Sequence, residues 1–110
     1  MPIFGVASIE QEPEETMIFW SVREAKFDQE NDISRHLVGY VTRKGTGRVS
    51  SAIQEFDRKS MTVKTRSGRL YHLSGSPGFN SEAEYVWLHW KSFNGVKEEA
   101  DVTDQYGFLH

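Results

Sequence analysis

Residues 61–95, MTVKTRSGRLYHLSGSPGFNSEAEYVWLHWKSFNG, change hydrophobic period once, and the place of that change decides the fold. Up to Leu73 the period is two. Met61 and Val63 alternate with Thr62, Lys64 and Arg66, and RLYHL repeats the pattern after Ser67 and Gly68. Side chains alternate across a strand, so this reads as two strands joined by a tight turn in which glycine takes positive φ. SGSPGFN, residues 74–80, then interrupts both strand and helix with two glycines and a proline. Beyond it Ala83, Val86, Trp87, Trp90 and Phe93 recur every three or four residues. Ser81 and Glu84 have capping-box spacing, Glu82 and Glu84 suit the positive end of a helix dipole, and Asn94-Gly95 provides a stop. The spacing predicts a helix over 81–94 with an aromatic stripe buried on a sheet. Losing a buried ring such as Trp90 should then cost about 3–5 kcal/mol.

Working toward the N-terminus, Val49, Ser51 and Ile53 alternate with Ser50, Ala52 and Gln54, and the run closes at Phe56 before DRKS. It supplies the first strand of a three-stranded meander. LVGYV, residues 37–41, is a short strand that ends at the basic glycine turn TRKGTGR, and Ile18, Trp20 and Val22 mark another. Ile3–Ile9 is expected to form a first strand, QEPEET (11–16) an exposed loop, and FDQENDISRH (27–36) a loop or single helical turn. Toward the C-terminus, Val96, Ala100 and Val102 suggest one more strand, and the tail DQYGFLH is aromatic enough to dock. The expected fold is a single α+β domain over 1–110: a twisted antiparallel sheet of about five to seven strands packed on one amphipathic helix in the C-terminal half.

Composition narrows the chemistry. The chain has 110 residues, 13% of them aromatic, so large rings must supply much of the core. Its lack of cysteine excludes a disulfide framework, thiol catalysis and Cys-based metal sites. No apolar window is long enough for a membrane helix and MPIFGVASIEQEPEE is unlike a secretion signal, so the reading is a cytoplasmic protein with no membrane association. The net charge of −3 conceals a strong asymmetry, because residues 1–34 carry −6, residues 35–69 carry +7 and residues 70–110 carry −4. A cationic middle either serves an anionic partner or neutralises the chain's own acidic ends.

The run TRSGRLYHLSGSPGFNSEAEYVWLHWKSFNGV (65–96), with SRHLVGYV (34–41) and GRVSSAI (47–53) upstream, resembles a group of small bacterial proteins of uncharacterised function, some carried on mobile elements. The resemblance implies a bacterial cytosolic setting. It brings no catalytic residues and no cofactor.

Candidate motifs reduce to one. Lys44, Gly45, Thr46, Gly47 and Arg48 place glycines beside cations, but the phosphate-loop pattern is incomplete and a strand follows, so a β-turn explains them. His36, His72, His89 and His110 form no close ligand pair, and no metal is expected. Neither the carboxylates Glu82, Glu84, Glu98, Glu99, Asp101 and Asp104 nor the serines fit a catalytic pattern, so no catalytic residue is assigned. The meander remains. Thr62, Lys64 and Arg66 should share a face, with Arg58 and Lys59 at one turn and Arg69 at the other, and Arg48 beginning the ribbon. These residues predict a non-catalytic module that engages an anionic partner, first an acidic protein surface. Direct binding of single-stranded nucleic acid is the alternative, with Tyr40 and Tyr71 as candidate stacking rings. An unrecognised small enzyme is the third reading, for which a deep pocket with converging polar groups is expected.

Overall fold

The computed structural model describes residues 12–28 and 32–107. Within them the order is β1 (Glu14–Lys26), β2 (Ile33–Val41), β3 (Thr46–Val49), β4 (Ile53–Asp57), β5 (Thr62–Thr65), β6 (Leu70–Leu73), α1 (Ser81–Asn94) and β7 (Glu98–Asp101), followed by a 3₁₀ turn over Thr103–Tyr106. The strands form one mixed sheet in the order β3-β2-β1-β6-β5-β4, with β7 paired to β1. All neighbours are antiparallel except β1 and β6, which run parallel from Glu14–Leu70 to Met17–Leu73. The architecture is therefore α+β with the helix where its periodicity places it. The parallel pair arises because the meander β4-β5-β6 docks its last strand on the edge that β2 leaves free on β1.

Three expectations change. The run from Val49 to Phe56 is two strands, interrupted at Ser50–Ala52, and these lie at opposite ends of the sheet path. Laid flat, the outermost of six strands would sit about 24 Å apart. The link of three residues between β3 and β4 bridges at most about 15 Å, so the sheet must roll to bring its edges near each other. QEPEET is not a loop throughout, because Glu14–Thr16 begins β1 and Glu15 is buried. Ser34–His36 likewise belongs to β2 rather than to a loop. The expected strand Ile3–Ile9 and the end of the docked tail, Phe108–His110, lie outside the described residues. Before them Tyr106 stacks on Phe56 with ring centroids 4.8 Å apart.

Rolling separates two cores. Inside it, Met17, Trp20, Val22, Leu37, Val41, Val63, Tyr71, Leu73 and Val102 pack together. On the other face Ala25 and Val38 meet Ala83 and Trp87 of α1. A bulge lets β1 serve both. Between the pairs Ile18–Tyr40 and Ser21–Val38 the strand advances one residue more than its partner, and Phe19 takes φ 49° there. One extra residue reverses the inside–outside parity, so Met17 before the bulge and Trp20 and Val22 after it all face the interior.

The helix packs on β2 and β3. Its N-terminus starts one residue earlier than the capping-box reading suggests. The cap is Asn80, whose Oδ1 accepts from the Ala83 amide at 3.0 Å. Gly95, at φ 69°, closes the other end as expected. Gly47 has a packing role: a Cβ there would stand 2.6 Å from the Ala83 backbone, so only glycine lets β3 approach the first turn of α1 this closely. The stripe is also narrower than its spacing predicts. Ala83 and Trp87 are buried and Trp90 is half-buried, while Phe93 is 79% exposed.

Candidate binding surface

The cations of the chain's middle divide by where β1 runs. At the start of that strand, Glu15 follows the inward parity of Met17 and has no exposed side-chain surface. Arg43 Nη2 donates to its Oε1 at 2.6 Å, and Arg48 Nη1 approaches its Oε2 at 3.6 Å. Lys44 reaches Glu12 at 2.8 Å, and Arg69 Nε donates to the Glu12 carbonyl at 2.8 Å. The hydrogen bond from Lys44 holds the Glu12 carboxyl below its ordinary range. Arg48 and Arg69 are both buried, so these two candidates belong to the fold's own charge balance rather than to an open surface. The glycine turn before β3 is likewise occupied by the acidic segment.

Arg23 sits in a comparable nest under α1. Its Nη2 donates to Glu84 at 2.6 Å and its Nε to Ser21 Oγ at 3.0 Å, and Asp101 lies 3.6 Å away. Nearby, Lys91 and Trp87 both donate to Glu99, outweighing the effect of burial and keeping that carboxyl below its ordinary range. Arg35 pairs with Glu24 at 3.0 Å, Lys26 with Glu98 and Lys97 with Asp28.

The meander differs. Arg58 donates to the Gly107 carbonyl at 3.1 Å. Lys59, Lys64 and Arg66 are exposed, and among the described residues none has a carboxylate within ion-pair distance. Lys64 projects outward because Val63 and Thr65 point to the interior. Arg66 opens the β5–β6 turn, where its amide donates to the Ala52 carbonyl at 2.8 Å and the Ser67 amide to Ser51 Oγ at 3.1 Å. The ribbon of six cations expected from the sequence is thus a smaller group. Arg48 is removed to the far edge of the sheet, Arg69 turns inward, Arg58 is tied to the C-terminal turn, and Lys59, Lys64 and Arg66 remain.

The aromatic candidates do not join them. Tyr71 is 2% exposed and belongs to the inner core, which leaves no ring face for a base. Tyr40 is half-buried on β2, with β1 and β6 between it and β5.

His36 is the most constrained histidine. Its Nδ1 lies 2.8 Å from the Ser50 carbonyl, an acceptor only, so that nitrogen carries the proton. Nε2 then accepts from the Ser34 hydroxyl at 2.7 Å. Burial, with the positive charge of Arg66 adding to it, pushes the imidazole below its ordinary value. The ring packs on Trp90 with centroids 4.5 Å apart. The hydroxyl satisfies a buried neutral ring. Elsewhere His72 contacts Glu14 at 2.6 Å and His89 packs on Tyr85 at 4.3 Å. Among the described residues no group of three or more metal-ligating side chains converges, and no helix is long and apolar enough to cross a membrane.

One exposed feature goes beyond the buried stripe expected of α1. Tyr85, His89 and Phe93 follow one another at intervals of four along α1, with Leu88 beside them, and Tyr85, Leu88 and Phe93 are all more than half exposed. The signal was present in the sequence, since rings at 85 and 93 fall off the arc set by Ala83, Trp87 and Trp90.

Comparison of the chain with protein-family models, with curated proteins and with solved structures finds no match.

Proposed function

We propose that the protein is a non-catalytic binding module whose meander engages an anionic partner, an acidic protein surface. One observation carries this reading: of thirteen lysines and arginines, the three with no described partner, Lys59, Lys64 and Arg66, all lie on one ribbon of the sheet. The helix packs on β2 and β3, so among the described residues no helix covers the outer face of that ribbon. A cation already held by a carboxylate gains little from a second, whereas a solvated one retains its full capacity to steer and hold an anion.

A protein partner is favoured over nucleic acid by the rings. Surfaces that bind single strands combine cations with exposed aromatics on the same sheet, whereas Tyr71 is buried, Tyr40 is remote, and the exposed rings Tyr85 and Phe93 lie on α1 rather than on the meander. The test compares wild type with Lys64→Glu/Arg66→Glu in affinity capture from the source cell, read by mass spectrometry, beside an anisotropy titration with single-stranded DNA and RNA at two salt concentrations. The reading predicts a captured protein that the double variant loses. Equal recovery by both proteins removes the meander from the reading, and micromolar binding that weakens steeply with salt assigns the same cations to nucleic acid.

A further inference from the structure

Resting on that reading, we propose that the partner presents an acidic segment with an apolar anchor, and that the anchor seats on the C-terminal half of α1, around Trp90 and Phe93, while its carboxylates meet Arg66. The argument is one of continuity. Arg66 lies at a hairpin tip whose backbone is tied to Ala52, and whose next residue is tied to Ser51. The adjoining Ser50 carbonyl receives His36 Nδ1 at 2.8 Å, and the other side of that imidazole packs on Trp90. The hairpin tip and the helix therefore converge on one buried ring. Phe93, one turn beyond His89 on the Tyr85–His89–Phe93 ridge, is the most exposed of the large apolar side chains described.

An apolar ridge alone does not identify its occupant. Here Trp90, one turn before Phe93, packs on the imidazole whose titration burial and the charge of Arg66 both depress, Arg66 has no described ion pair, and the first turn of the helix carries the acidic Glu82 and Glu84. A ligand that follows charge complementarity places its carboxylates toward Arg66 and its apolar side chain over Trp90 and Phe93. Burying an apolar anchor supplies affinity that a solvent-exposed ion pair does not, while the charge sets direction and register.

The probe is a random dodecapeptide library displayed on phage, selected against the wild-type protein, with enriched peptides then titrated by fluorescence anisotropy. Enriched sequences should combine Asp or Glu with Leu, Phe or Trp. Phe93→Ser and Arg66→Glu should each weaken them about tenfold or more, equivalent to about 1.4 kcal/mol. Both positions are exposed, and circular dichroism establishes that each variant keeps its fold. Peptides without acidic enrichment, or peptides that bind Phe93→Ser as tightly as wild type, overturn the inference. If affinity depends on Lys59 and Lys64 but not on Phe93, the anionic-partner reading stands and the apolar anchor falls. If no peptide is enriched over the library background, the inference falls, while capture with Lys64→Glu/Arg66→Glu still decides the anionic-partner reading. A dimer seen by sedimentation equilibrium and abolished by Phe93→Ser assigns the ridge to a second copy of the chain and overturns the inference.

Discussion

The two halves of the sheet make an instructive contrast. Over β2 and β3 lies α1, and beneath it Arg23 is locked to Glu84 and Ser21, while on the inward side of the same half Arg48 and Arg43 are held by Glu15. Among the described residues no helix packs over β4, β5 and β6, and Lys59, Lys64 and Arg66 are exposed. Both halves are cationic in sequence, with four lysines and arginines in residues 33–49 and five in residues 53–73. A charge removed from water needs a partner or its desolvation goes uncompensated, so burial recruits the acidic segment, whereas an exposed lysine is stable without one. Charge in the first half is thus part of folding. In the second half Lys59, Lys64 and Arg66 have no described ion pair and fold without one.

This contrast is broken most severely by Trp87→Ala. Trp87 is 2% exposed between helix and sheet, and its loss should cost about 3–5 kcal/mol in denaturant unfolding. Trp90→Ala, at a half-buried site, should cost less. An equal or larger loss at Trp90 would show that the second core is centred elsewhere.

Gly47→Ala comes next. The added methyl meets the Ala83 backbone, and overpacking of this kind costs about 1–3 kcal/mol. No change in melting temperature would mean that α1 does not sit closely on β3. Asn80→Ala should remove about 1 kcal/mol by deleting the cap, while Ser81→Ala should remove less.

A pH titration sharpens the boundary between the halves. The folded His36 imidazole titrates below its ordinary value, so on acidification the unfolded chain takes up its proton first. The stability this group contributes is complete above about pH 6.5 and declines as pH falls from there through the folded value. His36→Gln should flatten that segment of the stability–pH curve. In NMR titration Arg66→Glu should raise the His36 value, because a charge that disfavours the imidazolium is replaced by one that favours it; an unmoved titration would place Arg66 away from the ring. The smallest effect belongs to the bare half, where Lys64→Glu should alter stability by no more than about 0.5 kcal/mol.

Much of the fold was legible locally. The helix over 81–94, its stop at Gly95, the turn at Ser67-Gly68 and the returning strand at Leu70 all follow from period and turn chemistry within a few residues. The candidate surface was legible only in part. Lys64 points outward because Val63 and Thr65 are core, and alternation shows that. Arg69 and Arg48 have the same residue types and similar neighbours, yet both are buried, because their partners at Glu12 and Glu15 are remote in sequence. The expected single strand through Ser50–Ala52 failed for a related reason: alternation describes faces and is silent on where a chain leaves one sheet edge for another.

By itself the sequence determined the elements, their turns and the overall charge asymmetry, since each depends on backbone preference and on side-chain spacing within a turn or a strand. Tertiary structure alone decided which cations remain exposed and how β1 serves two cores through its bulge. Those outcomes depend on which distant segment reaches a given side chain, and that is fixed only when the sheet rolls and the helix settles on one of its halves.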